Sequence, residues 1–515
     1  MKPSFSFKHH AHAVASATVA SALALLSSTA GAQQSPPRGT PPVNLPAPDR
    51  PPDNPAPGPA AQEVADVTAQ DAPITEFDFR GAVISSSGLT SDEAAAKARA
   101  RAPQIAVSEA IADQAYWDSR VVWSGFMPQL NGYFQYKRIN VINNVPFQLP
   151  PDTPDSIKML FSGTDSGAFT YPANNYALGA TLKVPVIDML LRVWPAYEAS
   201  KNIVQARKFQ VEGQADGVEL NAREAYYAYV LALANRAVFE QSLKQAQAQR
   251  DQIQLFVDAG TAAPVDLMTA VSRYEAARSA LARADGVVAT SRSRLATLMG
   301  VPAESVTTIS EPVADLPPAP TATSDDLVRR GLAERPELKA LRELVDAGKL
   351  QKKAERGSAM PQISIDGSVL DAQPNPRYIP LNKTDFRSSY EIGGTLSWSP
   401  NASLTGYQRS QRASAEIARA RADVMSLEDA VRIEVVQAYE DYKAADAAAK
   451  ASQAQLQAAE EAYRVRLAMY RVGAGVVIDL LQEDLRVTEA RLALANAAIN
   501  ARVAMARLKR AAVLD

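Results

Sequence analysis

The side chains most often used in catalysis are missing from nearly the whole chain. There is no cysteine, and the three histidines, His9, His10 and His12, all lie within the segment 1–32. Without these side chains the chain cannot build a Cys/His metal site, a serine–histidine pair, a thiol nucleophile or a haem anchor. Sites built from carboxylates alone, such as a glycosidase pair or a calcium site, remain possible. The sequence shows no pattern that would form a compact pocket around them. We therefore predict no enzyme, cofactor or metal site.

Residues 1–32 have the pattern of a secretory signal peptide. Two lysines precede the apolar run "AVASATVASALALLSS", and Ala30-Gly31-Ala32 gives a small-residue cleavage site. The mature chain would begin near Gln33. Removing Lys2 and Lys8 takes the formal net charge from −2 to −4, which argues against nucleic acid as a partner. A mature chain without cysteine also cannot carry an acylated lipoprotein terminus.

The segment 33–91 is rich in proline, as in "PPRGTPPVNLPAPDRPPDNPAPGPA". Such a composition cannot form a packed core, so we predict an extended or disordered tether. Beyond residue 32 no run approaches the roughly 18 apolar residues of a membrane-spanning helix. Entry into a membrane would therefore have to use strands.

The rest of the chain is a duplication, with a first repeat at 92–325 and a second at 326–515. Met127-Pro128-Gln129 recurs as Met360-Pro361-Gln362, at an offset of 360 − 127 = 233, and "YALGATLKV" recurs as "YEIGGTLSW" at a smaller offset. Downstream, "VDAGTAAPVDLM" aligns with "YRVGAGVVIDLL" at an offset of 213. Each repeat is predicted to contain, in this order, a helix, a strand, a loop, a strand, a long helix, a turn and a helix.

Two strands per repeat are predicted, at 129–138, 176–185, 361–370 and 390–399. Apolar residues alternate with polar ones along them, and each has about the 9–11 residues of a tilted transmembrane strand. On the polar faces, Asp366 and Glu391 would line a lumen. The alternative is an edge hairpin of a soluble sheet, with both acids facing solvent. Four strands cannot close a barrel, so the membrane interpretation requires several copies to combine.

The predicted helices determine where the glycine turns lie. Long helices at about 190–258 and 404–470 have a heptad pattern, which is typical of left-handed coiled coils, and they end at Gly260 and Gly473. Return helices follow at 265–299 and 477–512. Each return helix is too short to run along the whole of a long helix. The short helices 103–126 and 336–358 cover the remaining length, so two short helices flank each long one.

These features together resemble the TolC-like outer-membrane efflux proteins, also called outer-membrane factors. The resemblance covers about residues 92–512 and rests on the doubled Pro-Gln before a strand, the two "YALGATLKV"-like strands and the two glycine turns. It implies a mainly α fold with a small β part. In such a fold, antiparallel coiled coils form an α-barrel, and four strands per protomer give a twelve-stranded transmembrane β-barrel in a homotrimer.

The resemblance also implies a function and a location. The trimer would be a passive exit duct in the outer membrane, extending through the periplasm, which a periplasmic adaptor protein and an inner-membrane transporter open at its far tip. Its other partner would be outer-membrane lipid, with no cofactor. Two alternatives stay open: the exit channel of a type I protein secretion system, or a periplasmic coiled-coil scaffold that is not a channel.

Candidate site residues follow from the family motif. Gly260 and Gly473 would be the tip turns that contact the adaptor, and Asp266, Tyr470 and Asp479 would form the gate. The chain departs from the motif at two places: Gly475 replaces a gating arginine, and Gln482 replaces a second constriction carboxylate. A structural alternative exists for each gate residue, because acids near helix N-termini stabilise the helix dipole and Tyr470 lies at a packing position of the heptad.

Overall fold

The computed structural model describes residues 88–140, 149–161, 172–260, 262–306, 308–311, 316–378, 384–472 and 474–514. These residues belong to one unit of the chain, Ala60–Asp515. The predicted signal peptide, residues 33–87 of the predicted tether, and Gly473 lie outside the described residues.

Nine helices of at least seven residues and four strands make up the described part of the chain. The helices are α1 (Ser91–Arg101), α2 (Pro103–Ser124), α3 (Asp155–Phe161), α4 (Trp194–Asp258), α5 (Pro264–Met299), α6 (Ser324–Glu334), α7 (Pro336–Ser358), α8 (Pro400–Arg471) and α9 (Val477–Ala512). The strands are β1 (Gln129–Arg138), β2 (Asn174–Pro185), β3 (Gln362–Gln373) and β4 (Arg387–Ser397). The predicted fold class, mainly α with a small β part, is confirmed.

Local sequence explains where several elements begin and end. Prolines occupy the first turns of α2, α5, α7 and α8, where no intrahelical donor is lost. Ser399 caps α8 by accepting a hydrogen bond from the Ala402 N–H. Because of this cap, β4 ends at Ser397 and α8 begins at Pro400, whereas the sequence predicts a strand to 399 and a helix from 404. A π-helical turn, Met189–Val193, precedes α4 beside Pro195, whose ring cannot fit an ideal helix interior.

The N-terminal end of the described chain is held by hydrogen bonds. Leu89 bridges Ile309 in parallel, and α1 begins at Ser91. The Glu311 carboxylate accepts the Ser91 N–H at 2.5 Å and pairs with Arg502 at 3.0 Å. Residues 88–91 therefore belong to the folded part, so folded structure begins before residue 91, the predicted end of the extended or disordered tether. The sequence does not show that Glu311 lies opposite this segment.

The sheet is antiparallel in the order β1-β2-β3-β4. Its register places apolar side chains opposite one another on a single face, as in the pairs Phe134 with Leu178 and Val369 with Tyr390. This apolar face is exposed in the single chain. Its large members are Leu130, Phe134, Tyr136, Leu178, Leu182, Ile363, Ile365, Val369, Tyr390, Ile392 and Leu396, each at least 43% exposed.

The opposite face of the sheet is polar. Lys183 lies beside Asp366 in the register, and Ser368 lies beside Glu391. The Ser368 hydroxyl donates to Glu391 at 2.8 Å, and Arg377 also pairs with Glu391. The two acids that the sequence places on polar faces therefore share one face of the sheet.

Helix packing follows the duplication. α5 packs along α4 and α9 packs along α8, while α2 and α7 pack on the other ends of the two long helices. The two repeats also join directly, since α7 and α9 both contact α4. Alanine occupies many of the buried seams, with Ala206, Ala222, Ala234 and Ala501 fully buried, and small side chains let the helix backbones approach closely.

Candidate functional site

The helix turns after α4 and before α9 lie side by side. Gly260 has a φ of +74°, a left-handed conformation that glycine adopts without strain. The Ala262 N–H then donates to the Phe256 carbonyl at 3.1 Å. In the second turn, whose Gly473 is outside the described residues, the Ala474 N–H donates to the Met469 carbonyl at 2.9 Å. Ile253, Ala270, Val477 and Leu481 form one buried cluster that joins the two turns.

Tyr470 lies between the two turns, half-buried. Its ring packs edge-on against Phe256 with 6.1 Å between centroids. Burial raises the pKa of the Tyr470 hydroxyl, and the nearby Asp266 carboxylate raises it further. The structure thus brings together two of the predicted gate residues, Tyr470 and Asp266.

Asp479 has a different partner. Its carboxylate pairs with Arg466 of α8 at 3.3 Å, and both side chains are about 40% exposed. Gln482 is exposed, one turn further along α9. A side chain on Gly475 would contact the Tyr470 backbone nitrogen at 3.2 Å. Arg466 was not identified from the sequence, because the family motif places its arginine after the glycine instead.

A buried group of polar side chains lies deeper between the helices; we call it the polar layer, formed by Gln249, Arg273, Tyr463 and Asp484. The Gln249 amide donates to the Tyr463 hydroxyl at 3.3 Å, and Arg273 pairs with Asp484 at 3.5 Å. Asp484 lies seven residues after Val477, the first residue of α9, which corresponds to about 10 Å of helix. The polar layer links α4 to α8 and α5 to α9.

Burial dominates the electrostatics of the polar layer. Asp484 is only 1% exposed, and this burial raises the pKa of its carboxyl group, while Arg273 and Arg491 oppose the rise. Arg491 is itself 2% exposed and pairs with Glu460 at 2.9 Å. Within the described residues, Gln249 Oε1 and Arg273 Nε are buried without a hydrogen-bond partner. The layer is therefore incompletely satisfied, and buried polar atoms without a hydrogen-bond partner are energetically costly.

The sequence did not single out the polar layer. Its signal in the sequence is the pair Glu483-Asp484, two adjacent acids in the first turns of α9. Glu483 is also buried, and it pairs with Arg486 at 2.5 Å. Polar residues inside a heptad seam often specify register, but the sequence could not show which partners they meet.

A comparison with known families shows which family this chain belongs to. A family model described as outer membrane efflux protein matches residues 94–301 and 327–512, which is most of the chain. The chain belongs to the outer membrane efflux protein family. It is accordingly an outer-membrane efflux protein that extends into the periplasm. Members of this family are passive channels rather than enzymes. No curated protein has a sequence that matches this efflux protein significantly.

Solved structures show the same fold at low identity. The Campylobacter jejuni CmeC outer membrane channel is 15% identical, with 92% of this chain and 94% of that chain covered and a TM-score of 0.65. A Pseudomonas aeruginosa membrane protein is 18% identical, with coverage of 86% and 93% and a TM-score of 0.67. The Neisseria gonorrhoeae MtrE channel, solved in an open state, is 17% identical, with coverage of 82% and 88% and a TM-score of 0.64.

None of the described helices combines the length and hydropathy of a membrane-spanning segment. No group of three or more acidic side chains in the described part of the chain is arranged to hold a metal ion.

The turn at Gly260 provides a first prediction. A Cβ at this position meets no other atom, so Gly260→Ala adds only backbone strain, about 1–2 kcal/mol. Hydrogen exchange of residues 256–266 in this variant should be faster than in the wild type. Gly286→Ala is the matched control, because Gly286 lies inside α5 with equally open space; there alanine should stabilise the helix by about 0.5–1 kcal/mol. Equal exchange in both variants would show that Gly260 is not required for the turn.

Proposed function

We propose that this efflux protein is a homotrimeric exit duct that a periplasmic adaptor and an inner-membrane transporter open at the turns of Gly260 and Gly473. The observation that carries this proposal is the exposed apolar face of the sheet. An apolar face of this extent is unstable in water and matches the lipid side of a membrane strand. The polar face, with Lys183, Asp366 and Glu391, would line the lumen.

The open edges of the sheet support assembly with further copies. β1 and β4 each pair with one neighbour within the chain, and unpaired backbone groups are too costly in lipid to persist. Pairing β4 of one copy with β1 of the next in a closed ring of three gives twelve strands. The helices below the sheet would then enclose the duct in the periplasm.

The gate is assigned to the side chains around the two turns. Tyr470 packs on the cluster that joins the turns, with Asp266 nearby, and Asp479 with Arg466 occupies the half-exposed surface beside them. An adaptor that contacts the turns would open the duct if it binds the dilated arrangement more tightly. The neighbouring exposed apolar side chains Val265, Met268, Val476 and Ile478 offer it a contact surface.

The experiment that tests the duct and its gate uses ion selectivity in planar bilayers. Purified protein should run as a trimer and conduct. Asp479→Asn leaves Arg466 without its acid and should shift the reversal potential toward anion preference, because charged rings set selectivity in pores. Arg466→Gln should shift it in the opposite direction. Conduction with an unchanged reversal potential in both variants would place this pair outside the ion path, whereas a monomer that does not conduct would refute the duct.

A further inference from the structure

We propose that the helices just below the sheet carry a collar that binds anionic phospholipid headgroups of the inner leaflet of the outer membrane. The collar consists of Arg120, Trp123, Trp194, Lys353, Arg356 and Tyr407. The proposal rests on the proposed function, since it takes the apolar face of the sheet as the membrane-spanning part and the helices as the wall of a duct.

The collar repeats in both halves of the chain. Lys353 and Arg356 correspond to Arg120 and Trp123 at the offset of 233, and Tyr407 corresponds to Trp194 at the offset of 213. These are the two offsets of the duplication. The packing repeats too, since a Cβ on Gly125 would meet Val193 at 3.1 Å and one on Gly406 would meet Ala359 at 2.8 Å. Corresponding positions of the two repeats therefore lie at the same level of the wall.

The depth of the collar matches a headgroup region. Trp123 and Arg356 lie in the last turns of α2 and α7, and each precedes the first residue of a strand, Gln129 or Gln362, by only six residues. Arg120 and Lys353 lie three residues earlier, or about 4.5 Å further along the same helices. Long basic side chains extend their charge toward an interface, and charges interact over roughly 8 Å at physiological salt.

The outward direction of the collar follows from contacts of α7. Arg342 donates to the Leu332 carbonyl of α6 at 3.1 Å and to Glu428 of α8 at 2.9 Å. Helix α6 belongs to the connection between the repeats, and a connection lying on the inner surface would obstruct the duct. The face of α7 that carries Arg342 is therefore the outer one.

The collar residues lie on this outer face. At roughly 100° per residue, Lys353 and Arg356 lie within about 40° of Arg342 around α7. Tyr407 lies within about 60° of Glu428 around α8 by the same rotation. The first repeat places Arg120, Trp123 and Trp194 at the equivalent positions.

The chemistry of the collar fits an anionic interface. Arg120 stacks on the Trp123 ring at 4.9 Å, and Trp194 and Tyr407 are 56% and 59% exposed. Tryptophan and tyrosine favour the headgroup level of membranes. Among the described residues, Arg120, Lys353 and Arg356 have no ion-pair partner, whereas nearby Lys349 pairs with Asp346 at 2.6 Å. Three copies would present nine such cations around the duct.

The test counts lipids bound to the purified trimer. Native mass spectrometry would compare phosphatidylglycerol and cardiolipin with phosphatidylcholine, each added to the delipidated trimer. The wild type should prefer the anionic lipids. The triple variant Arg120→Glu, Lys353→Glu, Arg356→Glu should lose that preference at least tenfold, because each cation near a lipid surface contributes about fivefold to binding. Equal preference in the variant and the wild type would overturn the proposal.

A matched control separates the collar from net charge. Lys443→Glu, Lys450→Glu, Arg464→Glu changes the charge equally on α8, far along that helix from Tyr407, and should keep the wild-type preference. A loss in the control as large as in the collar variant would also overturn the proposal. If the glutamate variant fails to assemble, the glutamine triple replaces it with the same expected loss. Conductance of each preparation is measured in parallel, so a conducting collar variant with unchanged lipid preference refutes the collar and leaves the duct intact.

Discussion

Arg273→Met is expected to make the efflux protein leaky, because it removes one of the two cations that face the buried Asp484. Asp484 is 1% exposed, and Arg273 pairs with it at 3.5 Å from the neighbouring helix pair. Breaking a buried ion pair from one side costs about 3 kcal/mol or more. We take the described packing of the polar layer as the closed state of the proposed duct. Destabilised by that amount, this state would be populated roughly a hundredfold less relative to an open one. Single-channel recording should show this as a large rise in open probability.

A second variant distinguishes gating from general damage. In Arg273→Met, Asp484→Leu both charges are replaced by apolar groups, which is often neutral or stabilising, so the closed state should return. Arg283→Met, an exposed position ten residues along the same helix, is the matched control and should behave as the wild type. Leakage that persists in the double variant would show that the pair does not hold the closed arrangement.

The Arg273→Met variant should also respond to pH in a defined direction. Burial raises the pKa of Asp484 above its ordinary value of 3.8, and a hydrated, open arrangement would return it toward that value. The proton is therefore bound more tightly in the closed state, so acid favours closure and rising pH favours opening. The charged groups that face Asp484 are Arg273 and Arg491, the latter paired with Glu460. Open probability should fall on acidification in Arg273→Met and stay constant in the double variant.

Val369→Arg is expected to abolish insertion into the outer membrane. Val369 lies on the apolar face, opposite Ala180 and Tyr390, and is 55% exposed. An arginine on the lipid face of a barrel costs about 2–4 kcal/mol near the midplane. Because a trimer would carry three copies, the cost is incurred three times. Heat-modifiable trimers in outer-membrane fractions should therefore disappear.

The neighbouring residue supplies the control for that variant. Ser368 lies on the polar face, beside Thr181 and Glu391. Ser368→Arg adds the same side chain one position away in the same strand, where water is available, and should leave trimers in the membrane fraction. If both variants insert equally well, the apolar face does not contact lipid and the assignment of the two faces is wrong.

The hydrophobic periodicity and the internal duplication of the sequence explain which parts of the fold could be predicted. The return helix 477–512 and the helix 336–358 have the same ends in the structure. Gly475 precedes the first helix, Pro336 begins the second, and Pro361 follows the second closely. The short helices α1, α3 and α6 were not predicted, since each has at most eleven residues and carries no long apolar repeat. Strand ends shifted by up to three residues, because capping and cross-strand pairing decide them.

The amino-acid sequence by itself determined the duplicated architecture, the alternating strands, the glycine turns and the absence of cysteine and histidine chemistry. These properties depend on the order of residues along the chain, where periodicity and backbone preference act locally. Tertiary structure alone decided that Asp479 meets Arg466 and that Asp484 is buried against Arg273. Those pairs join helices far apart in sequence, and their electrostatics depend on distance and burial, which only the packing of the helices sets.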